Sequence, residues 1–222
     1  MVKILLSMVI VSLSASASAY AYDIALTPLH GFAEQVDKPY GKNISLQGTP
    51  QQIVRLRKWI SQIASVPKGL DTLIRIQSSG HKLFITHSAY SLVSSGRTAA
   101  PATSNLINGI GESVDISFNA NIPDTGSHQV LSNGQQLIEY TAAQNLYHEL
   151  AHALHMMNGT WRFFASERQA IEEENEFRRQ LAKSQQRPFS ERVHISGVPI
   201  CPRASEVPDE SWSQQLICRN HR

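Results

Sequence analysis

The stretch that most limits what this chain can become is His148-Glu149-Leu150-Ala151-His152. Two histidines four positions apart project from the same side of an α-helix, one turn apart. Both imidazoles can then reach one Zn²⁺ at about 2.0–2.1 Å. Glu149, next to the first histidine, can point at a metal-bound water and act as general base while that water attacks a carbonyl. The flanks agree with a helix. Residues 141–147 lead in, residues 153–157 lead out, and Asn158-Gly159 reads as a stop. Leu146, Leu150, Ala153 and Leu154 supply an apolar face that would pack on the core and hold the histidines rigid.

The chain has 222 residues, enough for one domain with a real core, and a formal net charge of +2. No block of basic residues argues for a nucleic acid or an anionic membrane as partner. The first 19 residues read as a secretory signal peptide. Lys3 gives the positive start, residues 4–13 the short apolar run, and Ala17-Ser18-Ala19 the small-residue cleavage site. The run is too short for a comfortable bilayer span. Residues 20–222 are then expected to form a single exported domain, periplasmic or secreted, with an irregular tail from about residue 188. Cys201 and Cys218 are the two cysteines, and in an exported protein such a pair favours a disulfide.

Hydrophobic spacing predicts the remaining elements. A short strand falls around residues 43–46. Residues 51–64 carry Ile53, Leu56, Trp59, Ile60 and Ile63 at helical spacing, with Arg55, Arg57 and Lys58 turned to water and Pro67-Lys68-Gly69 as terminator. Residues 73–77 and 82–86 are rich in β-formers and read as a hairpin. Residues 88–111 and 119–135 read as loops, and residues 113–118 alternate polar and apolar as a strand with one buried face. A second helix is expected over residues 166–185, opened by a Ser166/Gln169 capping box. The sum is an α+β chain whose sheet precedes the metal helix.

A catalytic zinc takes three protein ligands and keeps a position for water. Glu167, Ala170, Ile171, Glu174 and Arg178 share one face of the second helix, so Glu167 and Glu174 both qualify as the third ligand. Glu172, Glu173 and Glu176 point elsewhere and are expected to be solvated. Distance after His152 slightly favours Glu174. Glu167 is geometrically open too, because a seven-residue connection can return the roughly 9 Å by which the metal helix overruns His152. The metzincin spacing puts His155 and Asn158 where that class needs Gly and a ligand, which excludes it.

The segment Tyr147–His155 with Asn158-Gly159, and the run Glu174-Asn175-Glu176-Phe177-Arg178, resemble the zinc metallopeptidase family typified by the bacterial effector NleD. The second run looks like that family's E-N-x-x-R element. The likeness extends over about residues 45–190. It implies a zincin-like fold: a small N-terminal antiparallel or mixed sheet, the HExxH helix, and a second ligand-bearing helix. It also implies Glu167 as third ligand, because Glu167 with Ala170-Ile171 stands where the family's ligand motif would be. The chain departs from the family at Ser166, where a Glu is usual, and at Phe189, where a Tyr is usual. Arg187 matches the family's downstream Arg. Family members are injected into host cells, whereas the first residues of this chain read as an export leader, so their host substrates are not carried over.

The expectation is therefore a secreted zinc endopeptidase acting on a protein or peptide substrate, with Glu149 catalytic and Zn²⁺ on His148, His152 and Glu167. The strand at residues 114–118 could receive an extended substrate by β-addition. The competing readings are a zincin-fold binding module without catalysis, which an intact Glu149 argues against, and a structural zinc protein. A structural site is usually closed by cysteines, and neither Cys lies near the motif.

Overall fold

The structure is a computed structural model and describes residues 35–37, 42–89, 96–133, 136–193 and 201–202. The leader, residues 1–19, and Cys218 lie outside the described residues. The strands are β1 (Gln35–Asp37), β2 (Ile44–Gly48), β3 (Leu83–His87), β4 (Gly96–Ala99), β5 (Val114–Phe118), β6 (His128–Leu131), β7 (Leu137–Tyr140) and β8 (Cys201–Pro202). The α-helices are α1 (Pro50–Ala64), α2 (Pro67–Ser78), α3 (Ala142–Met157) and α4 (Ser166–Ser184). The architecture is α+β, with the main sheet N-terminal to α3. No helix among the described residues is long and apolar enough to cross a membrane.

The main sheet is mixed, in the order β1-β2-β3-β5-β4. β2, β3 and β5 run parallel, and β1 and β4 close the two edges antiparallel. The parallel centre explains its sequence: Ile44, Leu46, Leu83, Ile85, Val114, Ile116 and Phe118 are all buried. Parallel strands need a crossover, and α1 with α2 supplies the one between β2 and β3. α1 opens with a capping box between Thr49 and Gln52 and buries Ile53, Leu56, Trp59, Ile60 and Ile63.

Residues 73–77 are helical, not the first arm of a hairpin. Gly69, Thr72, Leu73 and Ile76 are the buried residues of α2, a stripe at helical spacing that local β-propensity could not outweigh. Pro67 does not end α1; it occupies the first turn of α2, where its missing N–H costs nothing. The stretch 88–111 contains β4, and the stretch 119–135 contains β6. β6 pairs with β7 to form a hairpin directly before α3. β5 is internal to the sheet, between β3 and β4, so the substrate-accepting edge cannot be residues 114–118; among the described residues the edges are β1 and β4, and β4 is the one that packs on α3. The tail is not wholly irregular, since β8 pairs with β6 and Arg192 bridges to Ser132.

α3 runs through the core. It packs on β4 and β5 of the sheet and on α1, α2 and α4. Thr141 and Gln144 form its capping box, and Asn158 caps the other end. The chain then turns away at Gly159, whose φ of 63° suits a residue without Cβ. Tyr147 stacks on Phe177 of α4 with ring centroids 4.2 Å apart, and its hydroxyl meets Thr72 Oγ1 at 3.0 Å. These contacts lock α3 between α2 and α4. No side chain caps α4: its N-cap is Ala165. Gln169 instead reaches back across the α3–α4 connection, accepting from Arg162 N at 3.0 Å and donating to Thr160 O at 3.0 Å.

Candidate active site

His148 and His152 lie on the same face of α3, both buried, with ring centroids 4.8 Å apart and planes at 89°. Glu167, in the first turn of α4, closes on both. Its Oε2 is 3.3 Å from His148 Nε2 and its Oε1 is 3.2 Å from His152 Nε2. The ligand-type atoms of these three residues all lie within 4.8 Å of one another. The Glu167 side chain is 55% exposed, so the cluster opens to solvent on that side. The short connection held by Gln169 is what returns the chain from the end of α3 to this point.

Glu174 lies on the same face of α4 but takes the other nitrogen. His148 Nδ1 is 3.1 Å from Glu174 Oε2, and the Glu174 side chain is 0% exposed. A group bonded to Nδ1 fixes the ring and leaves Nε2 to the cluster. Glu174 is itself held by Arg192 Nη1 and, more loosely, by Arg178 Nη1 at 3.5 Å. Arg192 also donates to Tyr140 Oη at 3.2 Å. Asn175 fixes the backbone of Arg192, donating to its carbonyl at 2.7 Å and accepting from its N–H at 2.8 Å.

The electrostatics follow from this packing. Burial opposes a charge on His148, but Glu167 and Glu174 outweigh it and push its pKa up to about 9. His148 and His152 hold the Glu167 carboxyl far below its usual range. Burial works against ionising Glu174, yet Arg192, His148 and Arg178 bring it down to about 2. Burial, followed by the charge of Glu174, pushes Tyr140 well above the usual phenol range.

Glu149, also buried, faces β4. Thr98 Oγ1 lies 2.6 Å from Glu149 Oε2 and 3.1 Å from its backbone carbonyl. Gly96 makes this approach possible, because a Cβ there would sit 2.7 Å from Glu149 Cγ and 2.9 Å from Phe118 Cδ2. The edge strand of the sheet therefore runs directly alongside the carboxylate expected to be the base.

The remaining residues fall as follows. Arg187 is half-exposed and pairs with Glu139 at 3.2 Å, away from the groups around His148. Arg192 reaches that place instead. Glu173 is not solvated: it pairs with Lys68 and lies 3.7 Å from His155 Nε2. His155 stands apart from the three-residue cluster, with Nδ1 at 2.9 Å from Thr160 Oγ1. Thr98, Tyr140 and Arg192 escaped the sequence reading. No motif or periodicity marks them, and only the position of Tyr140 directly before the Thr141 cap gave any signal.

Two histidines one helix turn apart and a carboxylate of the next helix, converging beside Glu149, form a cluster of the kind that can hold a metal ion. Residues 41–187 match the model of peptidase family M91, described as effector proteins, and the chain belongs to that family. Among solved structures it is similar to the light chain of botulinum neurotoxin serotype HA, at 17% identity and a TM-score of 0.37, over 49% of this chain and 35% of that one. It is similar also to the Clostridium botulinum serotype F light chain, at 16% identity and a TM-score of 0.35, over 49% and 36%. The match thus takes in little more than a third of those light chains. No curated protein matches the chain.

Proposed function

We propose that the protein is an exported zinc endopeptidase in which His148, His152 and Glu167 hold the ion and Glu149 is the general base. The observation that carries this reading is the convergence of those three side chains within 4.8 Å, one helical position from a carboxylate that Thr98 fixes. Two imidazole nitrogens and one carboxylate oxygen, with no thiolate, are the donor set of a catalytic rather than a structural zinc. When bound, the ion would lower the pKa of its water and polarise the scissile carbonyl.

The chain's own groups supply the rest. Thr98 donates to Oε2 of Glu149 and fixes the carboxylate in one orientation. Glu149 then takes a proton from the attacking water and passes it to the leaving amine. Glu174 binds Nδ1 of His148, which directs Nε2 at the cluster. β4, the sheet edge beside Glu149, presents backbone groups to which an extended peptide can add as a further strand. The leader pattern ending at Ala19 supports export.

The test is the Glu149→Gln variant of the protein lacking residues 1–19. The wild type should hold about one zinc and cleave a mixed peptide library, while the variant keeps the zinc and cleaves nothing. Full activity in the variant, or a zinc-loaded wild type that cleaves no peptide, overturns the reading.

A further inference from the structure

A cavity of about 320 Å³ lies beside the first turn of α3, walled by the C-terminal half of α4 and residues 187–190. We propose that this cavity binds a small organic anion, a carboxylate or phosphate group carried on a short apolar body.

The charge around it is unbalanced. Arg178 lines the cavity and is itself buried, with 6% of its surface exposed. Its Nε has no acceptor among the described residues. Its Nη1 makes only long contacts, 3.4 Å to Glu139 O and 3.5 Å to Glu174 Oε1. Glu174 is shared with Arg192, whose Nη1 lies closer to it. Two buried guanidinium groups therefore face one carboxylate, and a buried charge without a full partner is costly. The other acids on the wall are committed elsewhere. Glu139 pairs with Arg187, and Asp124 pairs with Lys58 and accepts from Trp59 Nε1 at 2.8 Å.

Two further features define the ligand. The cavity meets the N-terminal turn of α3 at Thr141, Ala143 and Gln144, and the positive end of a 16-residue helix adds to the field there. Ile138, Leu181 and Phe189 give the wall apolar surface. A guanidinium fork suits a carboxylate or a phosphate, and the apolar wall suits a short hydrocarbon body. The volume falls at the lower end of the roughly 300–1,000 Å³ typical of small-molecule pockets.

The test is isothermal titration of the zinc-loaded protein with sodium octanoate and, separately, with octyl phosphate. At least one probe should bind saturably at one site, and the tighter of the two identifies the head group. Ala182→Phe fills the cavity from the helix turn after Arg178, keeps the guanidinium in place and leaves the three-residue cluster untouched, and should weaken binding at least tenfold. Arg178→Met should do the same if it folds; if it does not, Ala182→Phe decides alone. A probe that binds the zinc or the outer surface instead would bind Ala182→Phe as well as the wild type. That result, or the absence of saturable binding by either probe, overturns the proposal.

Discussion

Nδ1 of His148 lies 3.1 Å from Oε2 of Glu174, a carboxylate from which solvent is wholly excluded. The same ring offers its Nε2 to Glu167 at 3.3 Å. The two acids that sequence spacing could not separate therefore take opposite edges of one imidazole. Their variants should separate them. Glu167→Ala should lose most of its zinc on dialysis. Glu174→Gln should keep the ion at an affinity lower by roughly 10–100-fold. Because Arg178 and Arg192 lose their shared counter-charge, Glu174→Gln should also be less stable, by about 3–5 kcal/mol for a broken buried pair. Metal analysis and thermal unfolding of the two proteins check both points. Zinc retained in Glu167→Ala and lost in Glu174→Gln would reassign the ligand.

Thr98 offers a second test, since its hydroxyl sits 2.6 Å from Glu149 Oε2. Thr98→Val removes that donor with little change in shape. A hydrogen bond to a charged group contributes about 1.5–3 kcal/mol, so kcat should fall roughly 10–100-fold. Zinc content should not change, because Thr98 touches neither His148, His152 nor Glu167. A variant that turns over at the wild-type rate would show that Glu149 holds its position unaided.

These contacts also show what could be read from the chain in advance. The i, i+4 histidines and the shared face of Glu167 and Glu174 are properties of one helix each, so local periodicity exposes them. The placement of α1 and of the strand at residues 114–118 was equally local. Residues 73–77 misled because Leu73, Ile74 and Ile76 favour a strand by propensity, while burial against neighbouring helices decided for a helix. The edge position of β4 depends on its register with β5, and nothing in residues 96–99 encodes that partner alone. Arg192 is the extreme case. It sits 18 residues from Glu174 in a tail without periodicity, and reaches the site because Asn175 and β6 fix its backbone.

Gly96 tests the approach of β4 to α3. A side chain there would meet Glu149 Cγ at 2.7 Å and Phe118 Cδ2 at 2.9 Å. Neither atom can retreat, since Phe118 is a core residue and Glu149 is fixed on a buried helix. Gly96→Val should cost about 1–3 kcal/mol of stability, as overpacked cores do, and should lower kcat by displacing the carboxylate. Chemical denaturation and turnover of a generic peptide substrate check the two effects. Wild-type values for both would mean that the strand can stand off from the helix.

Cys201 lies in β8, paired through the backbone with Gln129 of β6. Cys218 is the only other cysteine of the chain. In an exported protein the two are expected to be joined, which would close a short loop and stabilise the chain by roughly 3 kcal/mol. Thiol titration of denatured, unreduced protein recovered from the exported fraction should find no free thiol. Two titratable thiols per chain would rule the bond out.

Glu173 sets a pH window for stability. His155 Nε2 lies 3.7 Å from its Oε1, and Lys68 pairs with its Oε2. His155 foremost, with Lys68 and against the cost of burial, holds its carboxyl down to about 2. An unfolded Glu titrates near about 4.3. The folded pKa is thus the lower one, and the unfolded chain binds more protons between the two values. The stability that Glu173 contributes is full above about pH 4.3 and is lost as the pH falls through 2. Glu173→Gln should therefore melt below the wild type at pH 6, and the gap should narrow as the pH drops from 4 to 2. Melting metal-free protein keeps zinc release out of the comparison, and carboxylates common to both chains cancel in the difference. A gap that stays constant over that range would mean that the interactions of Glu173 with His155 and Lys68 do not depend on its charge.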